Sequence, residues 1–175
     1  SGYLKASPDG SKLAIAMQNY NGKIEILDFN DSTGAITNPI RDNFTDPYGI
    51  EFSPDGTKLY ISSSSQGKVF QYNVAAGSPS DIKNTKNLVA TSGSQVGALQ
   101  IAIDGKIYVA RVAGYLGVIQ NPNAYGPNCN FKDNGIYLNG RNSKYGLPTF
   151  NQSYFYNPDF GVENQCYGDT TKFFI

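Results

Sequence analysis

The chain has 175 residues, enough for one domain with a real core. Its 14 Lys plus Arg balance 14 Asp plus Glu, which argues against an electrostatic nucleic-acid binder, and no run of about 18 apolar residues exists to span a membrane. With 13 Tyr, 10 Phe, 19 Gly and 9 Pro, and neither His nor Trp, the composition suits strands and tight turns and leaves out Ser-His-Asp catalysis and imidazole ligation.

No charged-then-apolar leader opens the chain. It begins inside what reads as a strand, the expectation for a mature or excised piece. That strand, "YLKAS", runs into "SPDG" at residues 7–10 and on into "SKLAIA". Pro presets φ at the second turn position, Asp suits the third, and Gly follows where φ is free to turn positive. Two apolar-alternating runs around such a turn predict an antiparallel hairpin. A third strand, "GKIEILDFN", starts at Gly22, and a fourth, "AITNPI", lies near Ala35. Between them "DFNDSTG" could suggest calcium through Asp28, Asn30 and Asp31. An EF-hand loop needs Gly at its sixth position, where Thr33 stands, so a polar turn ending at Gly34 is the favoured reading.

The sentence is then written again. "YGIEFSPDGTKLYIS" begins at Tyr48, "GKVFQYNV" at Gly67, and "KNLVATS" near Lys86. A worn third copy follows in "ALQIAIDGKIYVA" from Ala98, "GYLGVI" from Gly114 and "NGIYLNG" near Asn134. Gly10, Gly56 and Gly105 align, 46 and 49 residues apart. Four strands repeating at that period are the signature of propeller blades. The predicted class is therefore all-β, a partial β-propeller of about three four-stranded antiparallel blades at 2–40, 47–91 and 97–140. A strand at 145–156 closes or extends the array, the propeller region ends near 158, and residues 159–175 leave it. A β-sandwich with two similar hairpins is the rival, but it does not require one turn, one Lys and one third strand at a single period.

Lys5, Glu51 and Gln100 occupy one matching position in the first strand of each unit. First strands line a propeller's channel, and these side chains alternate away from the apolar positions. They are the candidate ligand contacts on a wet channel face, with plain polar cover as the alternative. No residue set carries a signature for catalysis, a cofactor or a metal. The sequons at Asn30, Asn43 and Asn151 are expected to be inert in a bacterial chain. The Tyr-rich "NQSYFYNPDF" offers a sugar-stacking platform, with edge-strand packing the favoured reading. Three blades leave two end faces without neighbours. Leu13, Ile15, Ile24 and Ile26 at one end, and Ile107, Val109, Val118 and Ile119 at the other, are expected to be exposed there. Such faces favour the missing blades or self-association, two copies making a six-bladed ring.

In this order, "YLKASPDGSKLA", "DFNDSTG" from Asp28, "YGIEFSPDGTKLYIS", "LQIAIDGKIYVA", "VIQNPNAYGPNCNF" from Val118 and "YGLPTFNQSYF" from Tyr145 resemble the propeller region of large secreted surface proteins of Bacteroidetes. Those proteins are often exported by the type IX route and carry YVTN-like or tryptophan-aspartate-like repeats. The resemblance covers nearly the whole chain. It implies a secreted, cell-surface location and a following PKD domain, whose opening "CYGDTTKFFI" from Cys166 is similar to. It also implies a C-terminal piece of a larger propeller. The expected function is a non-catalytic structural or adhesion module that binds protein or glycan through a propeller face. The alternative is a fragment of a lactonase- or dehydrogenase-like propeller enzyme whose catalytic residues lie in other blades. Cys129 and Cys166, 37 residues apart, are able to pair in a secreted protein. The other reading gives Cys166 a partner in the next domain.

Overall fold

The structure is a computed structural model that describes residues 2–18, 22–148, 161–163 and 172–174. Three four-stranded antiparallel sheets follow one another along the chain. The first holds β1 (Leu4–Ala6), β2 (Lys12–Met17), β3 (Lys23–Phe29) and β4 (Ile36–Asn43). The second holds β5 (Pro47–Phe52), β6 (Lys58–Ser63), β7 (Lys68–Asn73) and β8 (Asn87–Thr91). The third holds β9 (Val96–Ile101), β10 (Ile107–Arg111), β11 (Tyr115–Ile119) and β12 (Phe131–Tyr137). Each sheet is a meander in chain order. The first strands β1, β5 and β9 lie side by side at the inner edge. This is a partial β-propeller of three blades. In the tail β13 (Gly161–Glu163) pairs antiparallel with β14 (Lys172–Phe174).

The turns show why the repeat is written as it is. Ser7 Oγ donates to Asp9 Oδ1 at 2.6 Å and accepts from Lys12 N at 2.9 Å. Asp9 takes Ser11 N at 3.1 Å, and Gly10 N closes onto Ser7 O at 2.9 Å. Ser53, Asp55, Gly56 and Lys58 repeat this network with the same partners. Gly10 and Gly56 both stand at φ +70°, where a Cβ is costly. In the third blade Ala102 replaces the Ser, and the turn is one residue shorter. It keeps the Gly105 N to Ala102 O bond and loses the hydroxyl's share. Register is conserved through all three: Leu4 faces Ile15, Ile50 faces Ile61, and Leu99 faces Val109.

Packing lies between blades. Ala14, Ala16, Ile24 and Ile26 of the first meet Ile50, Phe52, Leu59 and Ile61 of the second. From the second blade's other face, Tyr60 and Val69 meet Leu99, Ile101, Ile107, Val109 and Ile119 of the third. Burying a large apolar side chain in this way stabilises by about 1.5–3 kcal/mol. The expected exposure of the end faces therefore needs correcting. Ile24, Ile26, Ile107, Val109 and Ile119 point inward between sheets, because each strand carries two apolar faces and these belong to the covered ones. Val118 is also buried. Leu13 and Ile15 are only partly covered, and Leu4 is 59% exposed.

Two connections carry short helices. α1 (Pro79–Asn84) sits between β7 and β8, opened by a capping box in which Ser78 and Asp81 serve each other, with Pro79 in its first turn. It buries Ile82 against the first interblade core. The β11–β12 connection folds over the second blade. Tyr60 Oη donates to Pro122 O at 2.7 Å, Gln71 Nε2 donates to Ala124 O at 2.8 Å, and Gly126 N donates to Gln71 Oε1 at 2.8 Å. A single 3₁₀ turn (Gly126–Cys129) ends this connection. Arg111, 4% exposed, ties the β8–β9 connection to β12 through Ser92 Oγ at 2.8 Å and Asp133 Oδ2 at 2.9 Å.

Beyond β12 the chain returns to the inner edge. Ala98 N donates to Tyr145 O at 2.7 Å. A Cβ on Gly97 would stand 2.2 Å from that oxygen, just as one on Gly49 would stand 2.4 Å from Gly97 O. The backbone at Tyr145 thus lies against β9 as β9 lies against β5. Residues 145–148 form no strand, and the rest of the expected closing strand, 149–156, lies outside the described residues.

Candidate functional site

The structure brings Lys5, Glu51 and Gln100 together. Lys5 Nζ donates to Glu51 Oε2 and to Gln100 Oε1, each at 2.9 Å. Glu51 Oε2 also accepts Ile101 N at 3.1 Å, and its Oε1 accepts Phe52 N at 3.1 Å. Gln100 Nε2 turns to Ile101 O at 3.1 Å. One residue from each blade thus joins a polar chain across three inner strands. Glu51 is 1% exposed and Gln100 6%. The three side chains do not face a wet channel wall: stacking turns the period-2 polar position toward the next blade. A buried charge needs a partner and hydrogen bonds to be tolerated, and here the groups satisfy one another.

The other sequence candidates have structural places. Asp28 pairs with Lys12 Nζ at 2.8 Å and accepts Asn38 Nδ2 at 2.9 Å. Asn30 Oδ1 accepts Ser32 N and Thr33 N, and Gly34 N donates to Asn30 O at 2.7 Å, which builds the polar turn. Among the described residues no group of three or more Cys, Asp or Glu side chains is placed to hold a metal ion. Cys129 has no disulfide partner among the described residues and is fully buried, and burial pushes its thiol up. Its expected partner Cys166 lies outside the described residues, as does the Tyr-rich segment 151–160.

What sequence reasoning missed is a groove at the end of the blades opposite the "SPDG" turns. Its described lining comes from the connections β4–β5, β6–β7 and β8–β9, with Gln18 after β2 and Gly22 before β3. The larger part, about 600 Å³, has Phe44 and Phe70 as its aromatic lining, with Asn43, Thr45, Gln66 and Lys86 around them. The smaller part, about 260 Å³, lies between Tyr48 and Tyr145 with Ser64, Ser65 and Gln95. Gln18 and Asp46 line both parts. Volumes of this order suit small ligands or single units of a longer one.

The charges in the groove are already engaged. Lys86 Nζ stands 4.6 Å from the centroid of the Phe44 ring and bonds Asp42 Oδ2 at 3.3 Å and Asn43 O at 3.2 Å. Asp46 accepts Gln18 Nε2 at 2.6 Å and Ser65 N at 2.7 Å. Burial opposes its ionisation, yet the bonds from Gln18 and Ser65 outweigh that and hold its carboxyl below the usual range. Tyr3, Tyr48 and Tyr145 form a row, with centroids 5.4 and 6.0 Å apart, and Tyr145 Oη donates to Gln95 Oε1 at 2.5 Å. The glycines that leave a trace here are Gly49, whose Cβ would stand 2.4 Å from Gly97 O, and Gly97, whose Cβ would stand 2.2 Å from Tyr145 O. They let the inner backbones touch, with Tyr48 and Tyr145 beside them at the mouth.

No protein-family model matches the chain, and no curated protein does. Solved structures similar to it include hydrazine synthase of Kuenenia stuttgartiensis, 23% identical, covering 66% of this chain and 31% of that one, with a TM-score of 0.49. A protein of Bacteroides fragilis proposed to be a 6-phosphogluconolactonase is 16% identical over 78% of this chain and 42% of its own, with a TM-score of 0.46. The β-propeller domain of Cps50 (Swd1) from Myceliophteria thermophila is 14% identical over 67% and 35%, with a TM-score of 0.45. The chain spans well under half the length of each of these. At such identities and scores they carry no argument about ligand or reaction, and the fold assignment rests on the three stacked sheets.

Proposed function

We propose that this chain is part of a non-catalytic interaction module, a propeller segment of a secreted or cell-surface protein that holds a protein or glycan on its groove face. The observation that carries this reading is the groove itself. Its two parts share Gln18 and Asp46 and carry aromatic lining, its rim is amide and hydroxyl, and its charged groups are engaged, Lys86 by Asp42 and Asn43 and Asp46 by Gln18 and Ser65. Such a surface is suited to holding a partner, and among the described lining residues no unengaged acid, base or nucleophile pair stands ready for chemistry. The resemblance to Bacteroidetes surface proteins supports the location and an adhesion role. In this reading the propeller region runs to about residue 158, and the start of a PKD-like domain follows from 159. Further blades of the same propeller cover the open face of the first blade, where Leu4 and Ile36 are 59% and 55% exposed.

The test is binding by the complete propeller to a glycan array and to a panel of surface proteins, alongside turnover of a lactone panel. Binding without turnover is the expected result. Turnover would overturn the non-catalytic reading in favour of an enzyme with its catalytic groups in other blades.

A further inference from the structure

Four properties of the groove narrow its ligand. Its partly exposed rings are Phe70 in the larger part and Tyr48 and Tyr145 in the smaller, while Phe44 is 5% exposed and lies beneath Lys86. Its polar groups are mostly neutral, with Gln18 in both parts and Gln95 beside Tyr145. Its one lysine is held by Asp42 and Asn43 against the Phe44 ring, so an anionic ligand finds no unengaged cation among the described lining residues. Its one carboxylate, Asp46, is hydrogen-bonded by Gln18 and Ser65, so a cationic ligand meets an acid already served.

We infer that this groove binds a neutral oligosaccharide, with one sugar ring against Tyr145 and Tyr48 and the chain running past Gln18 and Asp46 toward Phe70. This rests on the interaction-module reading and adds the ligand class to it. An aromatic face is the negative side of the ring's quadrupole and takes the weakly positive C–H face of a pyranose. Sugar hydroxyls both donate and accept, which matches amides that offer an oxygen and an NH₂ on one planar group. Gln95 uses its oxygen for Tyr145 Oη at 2.5 Å and has its Nε2 donors for a hydroxyl. Gln18 uses Nε2 on Asp46 and has its oxygen to accept one. An apolar peptide would leave these amides desolvated without partners, which costs about 1–3 kcal/mol per group. The two parts, about 600 and 260 Å³, hold more than one sugar ring, so the ligand is a chain.

The probes are linear hexasaccharides of neutral glucan, mannan, xylan and N-acetylglucosamine, titrated calorimetrically into the 175-residue chain. Because the chain has 13 Tyr and no Trp, quenching of tyrosine emission gives an independent signal. At least one hexasaccharide binds, and Tyr145→Ala and Gln95→Ala each weaken it by about tenfold or more, a change of about 1.4 kcal/mol. Tyr137→Ala, which removes a 55% exposed tyrosine on β12, leaves binding unchanged. Gln95→Ala keeps the test valid should Tyr145→Ala disturb the backbone at β9. Absence of binding by every hexasaccharide, or binding that neither groove variant weakens, would overturn the inference. A protein ligand of the complete propeller, competed away by the same two substitutions with no saccharide bound, would overturn the saccharide and leave the interaction module standing. No binding of any partner on this face would remove both.

Discussion

The second blade and the first are written from one repeat, and their surroundings differ. In the second, Leu59, Tyr60 and Ile61 are consecutive and all 0% exposed, because the odd positions pack on the first blade and Tyr60 packs on the third. In the first, Ala14 and Ala16 are buried against the second blade, while Leu13 and Ile15 on the other face are only partly covered. The repeat supplies apolar residues for two neighbours wherever it stands. Position in the array decides which of them gain the stability of burial. The inner strands follow the same rule: Glu51, in the middle, accepts from both sides, and Lys5 reaches inward to it.

Breaking the middle blade should do the most damage. Glu51→Ala leaves Lys5 without its carboxylate and Ile101 N without an acceptor, and loss of one partner of a buried pair costs about 3–5 kcal/mol. Chemical denaturation measures it. The double variant Lys5→Met with Glu51→Leu should lose much less, because no buried charge is left alone. Leu59→Ala opens a cavity between the first two blades and should cost about 2–5 kcal/mol. Leu4→Ala, at a residue 59% exposed, should change stability by less than about 0.5 kcal/mol. Equal losses at Leu59 and Leu4 would erase the difference between middle and end.

The smallest effect belongs to the turns. The Ser7 hydroxyl, donating to Asp9, holds its carboxyl below the usual range. A carboxyl depressed in the folded state stabilises fully above its unfolded pKa, and that contribution fades as pH falls through the folded value. The stability gap between the wild type and Asp9→Asn should therefore be constant above about pH 4 and shrink below it. A gap that widens on acidification would contradict the assigned bond.

The blades were legible in the sequence because their signals are local and repeated: a Ser-Pro-Asp-Gly turn, period-2 alternation, and one spacing. The equivalence of Lys5, Glu51 and Gln100 was legible for the same reason. Their burial was not, since a polar residue at a period-2 position faces water or a neighbouring sheet depending on what stacks there. Ile24 and Ile107 were misplaced on outer faces for the mirror-image reason. The groove left almost no trace. Gln18, Asp46, Gln95 and Tyr145 come from separate connections, and only folding makes them neighbours. α1 was readable in principle from Ser78-Pro79-Ser80-Asp81, a capping box hidden inside what looked like turn residues.

The central claim is that three sheets stack in a row and the middle one is shielded on both faces. Native-state amide hydrogen exchange, resolved by strand, tests it most directly. Amides of β6 and β7 should exchange only with global unfolding, and those of β1 and β4 in the first blade should open at much lower free energy. Equal protection in all three sheets, or greatest protection in the first, would contradict a stacked array with an open end.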